Sequence, residues 1–215
     1  MSPQDAAWVQ KLLDAKLLTG PVLDMGVGLG YGYEKGSCRR VIEATGLQYF
    51  GTDTAQGPAV DFIANFDNPE DMKSFGRQFG SILILNVLEH VFDPIKLLDN
   101  AFSIVKSGGA VAISTPAIWP LHTCPIDAWR PQPNFYEEYA SRRGLVLNRE
   151  FFEFVGYGRV DSFPRGNNDT YTFPTPCNGF RYWWSRAIHK TFNTCGRGMA
   201  YPSHVSIAAL LEKPH

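Results

Sequence analysis

The stretch PVLDMGVGLGYG, at residues 21–32, places a glycine-rich run directly after a short apolar segment. The apolar residues predict a buried strand, and the glycines predict a tight turn at its carboxyl end. In an open parallel sheet, ligands bind outside the carboxyl ends of the strands, at the point where the strand order reverses. We therefore expect a fold of this kind, with a small-molecule site at this turn.

Predicted strands and helices alternate along most of the chain. A helix is predicted to start at Ser2 and Pro3, and strands are predicted from LQYFGTD, VDFIANF, SILILN and AVAISTP, with helices between them. HVSIAALLEK predicts a final strand. This alternation favours a doubly wound, parallel α/β sheet with right-handed crossovers. We interpret residues 1–215 as a single domain, in which residues 163–202 form a lid or an interface insertion.

Two of these elements can be specified further. SILILN, at residues 81–86, is a continuous apolar run, which is typical of a parallel strand that is buried on both faces. The helix FYEEYASRR is expected to start at a capping box formed by Asn134 and Glu137, and to stop at Gly144.

The spacing of the glycine run excludes two common phosphate-binding turns. A dinucleotide fingerprint, G-x-G-x-x-G/A, needs a small third residue, but counting from each of the first three glycines that position holds tyrosine or lysine. A P-loop needs G-K-[ST], which does not follow this run. The pattern that remains is D-x-G-x-G-x-G at residues 24–30, which favours a ligand without a pyrophosphate or triphosphate.

This pattern and four later segments resemble the class I S-adenosylmethionine-dependent methyltransferases. YFGTD places Asp53 at the family's ribose-binding acid, and IANFD places Phe66 and Asp67 near its adenine-edge positions. ILNVLEHVFDP resembles the fourth-strand segment of the small-molecule members, and KSGGAVAISTP resembles the entry to the fifth strand. The resemblance covers most of residues 12–147. It implies a Rossmann-like sheet of seven strands, mostly parallel, with an antiparallel last strand.

The resemblance implies S-adenosylmethionine as the cofactor. The implied cofactor-binding residues are Asp24, Gly26, Gly28, Gly30, Asp53, Thr54, Phe66, Asp67, Asn86, Val87 and Leu88. Glycine allows the backbone to approach an adenosine ligand closely, and an acid at the end of the second strand can bind both ribose hydroxyls. The sequence indicates no metal site.

Two histidines and one loop suggest how an acceptor is bound. His90 matches the histidine often found beside the transferred methyl group, and PLHTCPIDAWR resembles a loop of methyltransferases associated with surface-glycan biosynthesis. The candidate catalytic residues are His90, His122 and Asp127, and the candidate substrate-binding residues are Trp129 and Arg130. The expected reaction is O-methylation of a sugar or another small polar metabolite, with a nucleotide-linked or lipid-linked sugar as an example.

Other interpretations stay open. His90 could instead cap the turn that follows it, and Asp127 with Arg130 could form an ion pair that holds a proline-rich loop. The methylated atom could be nitrogen or carbon, and the domain could be a catalytically silent partner that only binds the cofactor. A nicotinamide-dependent oxidoreductase is disfavoured by the missing third small residue of the glycine run. The sequence does not distinguish His90 from His122 as the base.

Composition limits the partners. The net charge of −1 provides no basic surface for a nucleic-acid backbone. The most apolar run, ILILNVL, is too short to span a bilayer, and the first ten residues resemble no secretory leader. The four scattered cysteines are typical of a reducing compartment. We expect a cytoplasmic protein with a small-molecule acceptor, no nucleic-acid partner and no transmembrane segment. The sequence is also compatible with a homo-oligomer.

Asp53→Ala is expected to abolish binding of adenosyl ligands. The variant loses the carboxylate assigned to the ribose hydroxyls, and two charge-assisted hydrogen bonds of about 1.5–3 kcal/mol each correspond to a loss of at least about a hundredfold. Calorimetric titration with S-adenosylmethionine, S-adenosylhomocysteine and NADH measures this. We expect the wild type to bind both adenosyl ligands and not NADH, whereas binding of NADH alone would contradict the assignment.

Overall fold

A computed structural model describes residues 3–28, 38–119, 126–156, 159–162 and 205–215, together with residues 184, 187 and 191. Gly30, His122 and nearly all of the segment 163–202 lie outside the described residues. Their expected roles, as cofactor turn, candidate base and lid or insertion, therefore stay predictions.

Five α-helices and nine strands are found within these ranges. The helices are α1 (Pro3–Asp14), α2 (Cys38–Glu43), α3 (Pro69–Ser74), α4 (Pro94–Ser103) and α5 (Pro133–Arg143). The strands are β1 (Val22–Met25), β2 (Tyr49–Asp53), β3 (Phe62–Ile63), β4 (Phe79–Leu85), β5 (Val105–Ile118), β6 (Val146–Leu147), β7 (Glu153–Gly156), β8 (Arg159–Ser162) and β9 (Val205–Glu212). Short 3-10 turns cover Leu88–His90 and Arg149–Phe151. None of the described helices is long and apolar enough to cross a bilayer.

The described strands form one sheet in the order β3-β2-β1-β4-β5-β9-β7-β8, with β6 beside β9. Strands β1 to β5 pair in parallel, whereas β9 runs antiparallel to β5, β6 and β7. The order reverses between β1 and β4, so a crevice forms at the carboxyl ends of these two strands. The predicted class, a doubly wound and mostly parallel Rossmann-like sheet with an antiparallel last strand, is confirmed. The described sheet contains two strands more than the seven expected, the short strand β6 and the edge strand β8.

Two apolar layers cover the sheet. Along β4 all seven residues are buried, and their side chains alternate between the layers, with Ile82 and Ile84 in one and Leu83 and Leu85 in the other. The first layer also contains side chains of α3, α4 and α5, and the second contains side chains of α1 and α2. Residues 81–85 of SILILN therefore lie in a strand that is covered on both faces, as the apolar run predicts, whereas Asn86 follows the strand.

The ends of α5 show one wrong and one correct prediction. The helix begins at Pro133 after the N-cap Gln132, so the expected capping box of Asn134 and Glu137 is wrong. Proline is favoured at the first helical position because its fixed φ suits the helix and it has no N–H to satisfy. The expected stop at Gly144 is confirmed, because this residue adopts a left-handed φ of 64° and its N–H caps the helix.

Candidate cofactor and active site

The turn after β1 requires glycine at two positions. Gly26 and Gly28 both have a φ of 78°, in the left-handed region that glycine adopts without steric cost. A Cβ atom on Gly26 would collide with the side chain of Val87, which follows β4. The turn after β1 therefore packs directly against the end of β4, on the two sides of the crevice.

The carboxylate of Asp53, at the end of β2, also holds this turn. The Gly28 N–H donates to Asp53 Oδ2 at 2.7 Å, and the Thr54 N–H donates to Oδ1 at 2.7 Å. A carboxylate offers about four lone-pair sites. Asp53 therefore keeps capacity to accept hydrogen bonds from a ligand while it fixes the glycine turn.

Asp24, the last but one residue of β1, is a buried acid beneath the turn. It is 8% exposed, and the hydroxyl of Tyr49 on β2 donates to its Oδ2 at 2.8 Å. Burial raises the pKa of Asp24 to about 6, although the hydrogen bond from Tyr49 acts in the opposite direction. Burial also raises the pKa of Tyr49, so its hydroxyl remains a donor. The sequence analysis does not identify Tyr49 as a residue of this site, because only the pairing of β1 with β2 brings it to Asp24.

An open cavity of about 250 Å³ lies near the carboxyl ends of β2, β3 and β4. Its lining residues are Thr54, Asn65, Phe66 and Asp67 from the β2 and β3 side, and His90, Val91, Phe92 and Ile126 from the β4 side. The structure thus brings three residues expected to contact a cofactor, Thr54, Phe66 and Asp67, to the same cavity as His90.

Asp67 supplies an unsatisfied acceptor at this cavity. Its Oδ1 atom is buried and has no hydrogen-bond partner within the described residues. Leaving a buried acceptor unpaired costs about 1–3 kcal/mol, so a ligand that supplies an N–H donor would remove that penalty. The segment is held in place because the Phe66 carbonyl accepts from Asn100 Nδ2 at 2.7 Å. This unpaired acceptor therefore fits a ligand that carries an amino group, such as the adenine of an adenosine.

The end of β4 is tied to α1 through a buried carboxylate. Asn86 has a φ of 56°, which is uncommon for a residue other than glycine. Its Nδ2 donates to Asp5 Oδ2 at 2.8 Å, and Ser114 Oγ on β5 donates to Asp5 Oδ1 at 2.6 Å. Nothing in the sequence marks Asp5 beyond its place in a first helical turn, so sequence reasoning missed this link.

Three hydrogen bonds join the loop 126–130 to the turn after β4. His90 Nδ1 lies 2.6 Å from the Ile126 carbonyl oxygen, the Ala128 N–H donates to the Glu89 carbonyl at 2.8 Å, and Trp129 Nε1 donates to the Phe92 carbonyl at 3.0 Å. Because a carbonyl only accepts, Nδ1 of a neutral His90 carries the proton and Nε2 keeps its lone pair. The structure thus places two predicted segments side by side.

Two carboxyl groups lie inside this junction. Glu89 is fully buried, with Oε1 3.7 Å from His90 Nε2, and burial raises its pKa to about 7. The Asp127 side chain is also fully buried, and both its oxygens accept from the guanidinium of Arg130. Asp127 and Arg130 therefore hold the loop together, and their direct roles toward an acceptor stay predictions. Within the described residues no group of three or more histidine, cysteine or acidic side chains is placed to hold a metal ion.

A family model described as a methyltransferase domain matches residues 4–168, which include the crevice and every described residue of the cavity. The chain belongs to this methyltransferase family. It is a class I S-adenosylmethionine-dependent methyltransferase, and S-adenosylmethionine is its cofactor. The expected family, enzyme class and cofactor are thereby confirmed, whereas the small-molecule and glycan subtype is not decided by the match.

Solved structures share the fold of this methyltransferase at low sequence identity. An S-adenosylmethionine-dependent methyltransferase from Archaeoglobus fulgidus has a TM-score of 0.58 at 16% identity, covering 99% of this chain and 95% of that chain. Phosphoethanolamine N-methyltransferase 2 of Haemonchus contortus, solved with phosphomonomethylethanolamine and S-adenosylhomocysteine, has a TM-score of 0.53 at 16% identity, covering 97% of this chain and 53% of that chain. A putative sarcosine dimethylglycine methyltransferase from Galdieria sulphuraria has a TM-score of 0.54 at 13% identity, covering 98% and 84%. A search of curated protein sequences finds no significant match.

Asp24→Asn is expected to stabilise the methyltransferase at high pH. The pKa of about 6 in the folded state lies above the ordinary value of 3.8. The stability that Asp24 contributes is therefore present below about pH 4 and lost as the pH rises through about 6. Asparagine avoids the ionisation of a buried group and still accepts from Tyr49, which predicts a gain of about 1–3 kcal/mol at about pH 8 and little gain at about pH 4.

Chemical denaturation at these two pH values measures the effect, and Asp14→Asn, at an exposed position of α1, is the control. Because Asp24 is also an expected cofactor residue, the stabilised variant should bind S-adenosylhomocysteine more weakly. An equal gain at both pH values, or none at the higher one, would contradict the account of Asp24.

Proposed function

We propose that this methyltransferase transfers a methyl group to a hydroxyl of a sugar or another small polar metabolite, at the cavity that joins Thr54, Phe66 and Asp67 to His90. The observation that carries the proposal is this juxtaposition, because it sets a group with base chemistry beside the proposed cofactor residues. Methyl transfer needs the nucleophile and the methyl group in line, and such alignment contributes about 7–11 kcal/mol to catalysis.

The proposed cofactor contacts follow the free hydrogen-bonding capacity of the site. Asp53 and Thr54 would take the ribose, since Asp53 keeps unused lone pairs, and Asp67 Oδ1 would take the adenine amine. The described part of the turn, at Gly26 and Gly28, would face the amino-acid end, and Gly30 stays a predicted cofactor residue. Residues 86–88 would contact the cofactor at the end of β4. When bound, S-adenosylmethionine supplies an electrophilic methyl group on a cationic sulfonium.

His90 is the proposed general base. The Ile126 carbonyl holds its Nδ1 proton, so Nε2 is the nitrogen that can take a proton from an acceptor hydroxyl. The ring becomes an imidazolium as it takes that proton. The buried carboxyl of Glu89, 3.7 Å from Nε2, stabilises this positive charge when ionised. His122 stays a second candidate for the base.

The loop 126–130 supports a polar acceptor with an apolar face. Trp129 is 38% exposed and its ring is fixed through Phe92, so it presents a surface on which a sugar face can stack. The Arg130 guanidinium, although paired with Asp127, is partly exposed and can also meet an anionic group of an acceptor. Because the loop resembles that of surface-glycan methyltransferases, nucleotide-linked and lipid-linked sugars are the first acceptors to test. We further propose a cytoplasmic location and a single domain, in which residues 163–202 form a lid or an interface insertion.

His90→Gln is expected to lower kcat by about a hundredfold to ten-thousandfold, because general-base catalysis contributes rate factors of that size. The affinity for S-adenosylhomocysteine should stay within about threefold, since the change leaves the proposed cofactor contacts in place. The measurement is formation of S-adenosylhomocysteine with each acceptor of a panel of nucleotide-linked sugars, lipid-linked sugars and amines.

His215→Gln is the matched control, because His215 lies beside Gly108 at the start of β5, away from the cavity. Methylation of the sugars by the wild type, lost in the His90 variant alone, supports the proposal. Turnover of amines but not of sugars would move the reaction to nitrogen, and cofactor binding without turnover of any acceptor would favour the silent partner domain. Full activity of His90→Gln would contradict the role of His90.

A further inference from the structure

We propose that Asp5 of α1 is a positioning residue for the cofactor site, which holds Asn86 in its left-handed conformation at the end of β4. Asp5 is 1% exposed, and its two oxygens accept from residues of two neighbouring strands, Asn86 just after β4 and Ser114 within β5. The proposal rests on the cofactor role proposed above for residues 86–88. It adds a residue that acts through Asn86 rather than by touching the cofactor.

Asn86 is a residue whose conformation needs support. A left-handed φ of 56° is disfavoured for residues with a side chain, and asparagine tolerates it best because its amide can form local hydrogen bonds. Here the amide bonds to Asp5, and the Asn86 N–H donates to the Ser114 carbonyl at 2.7 Å. Since the side chain is engaged toward α1, Asn86 contributes to the site through its backbone and the course it gives to Val87 and Leu88.

That course reaches the glycine turn directly. Val87 is 7% exposed, and its side chain fills the space that a Cβ on Gly26 would need. The same turn is bonded to the cofactor acid, through the Gly28 N–H and Asp53. A change in the backbone at Asn86 therefore displaces Val87 against the turn. The hydrogen bond that Asn86 donates to Asp5 prevents such a change.

The rest of α1 is anchored independently of this link. Trp8 is fully buried and its Nε1 donates to the Phe151 carbonyl at 3.3 Å, and Lys11 Nζ pairs with the buried Glu153 at 3.1 Å. Both partners lie in or just before β7, away from the crevice. Loss of Lys11 therefore tests the docking of the helix, whereas loss of Asp5 tests its effect on the site.

The experiment compares Asp5→Ala, Lys11→Ala, Asn86→Gly and the double variant Asp5→Ala/Asn86→Gly. Calorimetric titration with S-adenosylhomocysteine gives Kd, and thermal unfolding gives Tm. Asp5→Ala should raise Kd about tenfold, whereas Lys11→Ala should leave it within about twofold despite a lower Tm. Glycine adopts a left-handed φ without support. The double variant should therefore bind S-adenosylhomocysteine as tightly as Asn86→Gly alone, because the loss of Asp5 no longer matters once glycine holds this conformation.

The comparison in the glycine background separates positioning from stability, because glycine adds no contact and does not restore the lost hydrogen bonds. The proposal is overturned by an unchanged Kd in Asp5→Ala, by an equal loss in Lys11→Ala, or by a double variant that binds about tenfold more weakly than Asn86→Gly. If Asp5→Ala does not fold, Asp5→Asn with and without Asn86→Gly provides the same comparison. The readout needs no acceptor, so failure of the proposed sugar methylation would leave this result unaffected.

Discussion

The absence of a side chain at Gly26 is the constraint on which the rest of the site depends. Val87 occupies the space that a Cβ would need, and this contact closes the distance between the turn after β1 and the end of β4. Gly28 then donates to Asp53, which brings the end of β2 to the same turn. The contact of Gly26 with Val87 and the bond of Gly28 to Asp53 therefore bring the ends of β1, β2 and β4 to a single crevice.

Three buried carboxyl groups belong to the elements that form this crevice. Burial raises the pKa of Asp24 on β1 and of Glu89 in the turn after β4, and Asp5 accepts a hydrogen bond from Asn86 at the end of β4. Burying such groups costs free energy that the donors Tyr49 and Asn86 offset only in part. A cationic cofactor offsets this cost further, because a nearby positive charge favours the ionised form of each acid. The arrangement thus suits a ligand that carries a sulfonium and an amino group.

The sequence predicts the parts of this protein that depend on local patterns. The buried strand β4, the glycine turn, the acid that ends β2 and the stop at Gly144 all follow from short-range chemistry. The capping box at Asn134 fails because Pro133 starts the helix two residues before the expected first residue, Phe135. The bond from Asn86 to Asp5 joins residues 81 positions apart, and the bond from the Ala128 N–H to the Glu89 carbonyl joins two separate loops. Such links depend on tertiary packing, which no local pattern encodes.

The most direct test of this account is a crystal structure of the methyltransferase with S-adenosylhomocysteine bound. We expect the adenine amine to donate to Asp67, the ribose hydroxyls to donate to Asp53, and the sulfur to lie on the side of the cavity that His90 lines. In that position, the methyl group of S-adenosylmethionine would lie between His90 and the proposed cofactor residues of the cavity. Binding of the adenosine outside this cavity, or with its sulfur directed away from His90, would contradict the central claim.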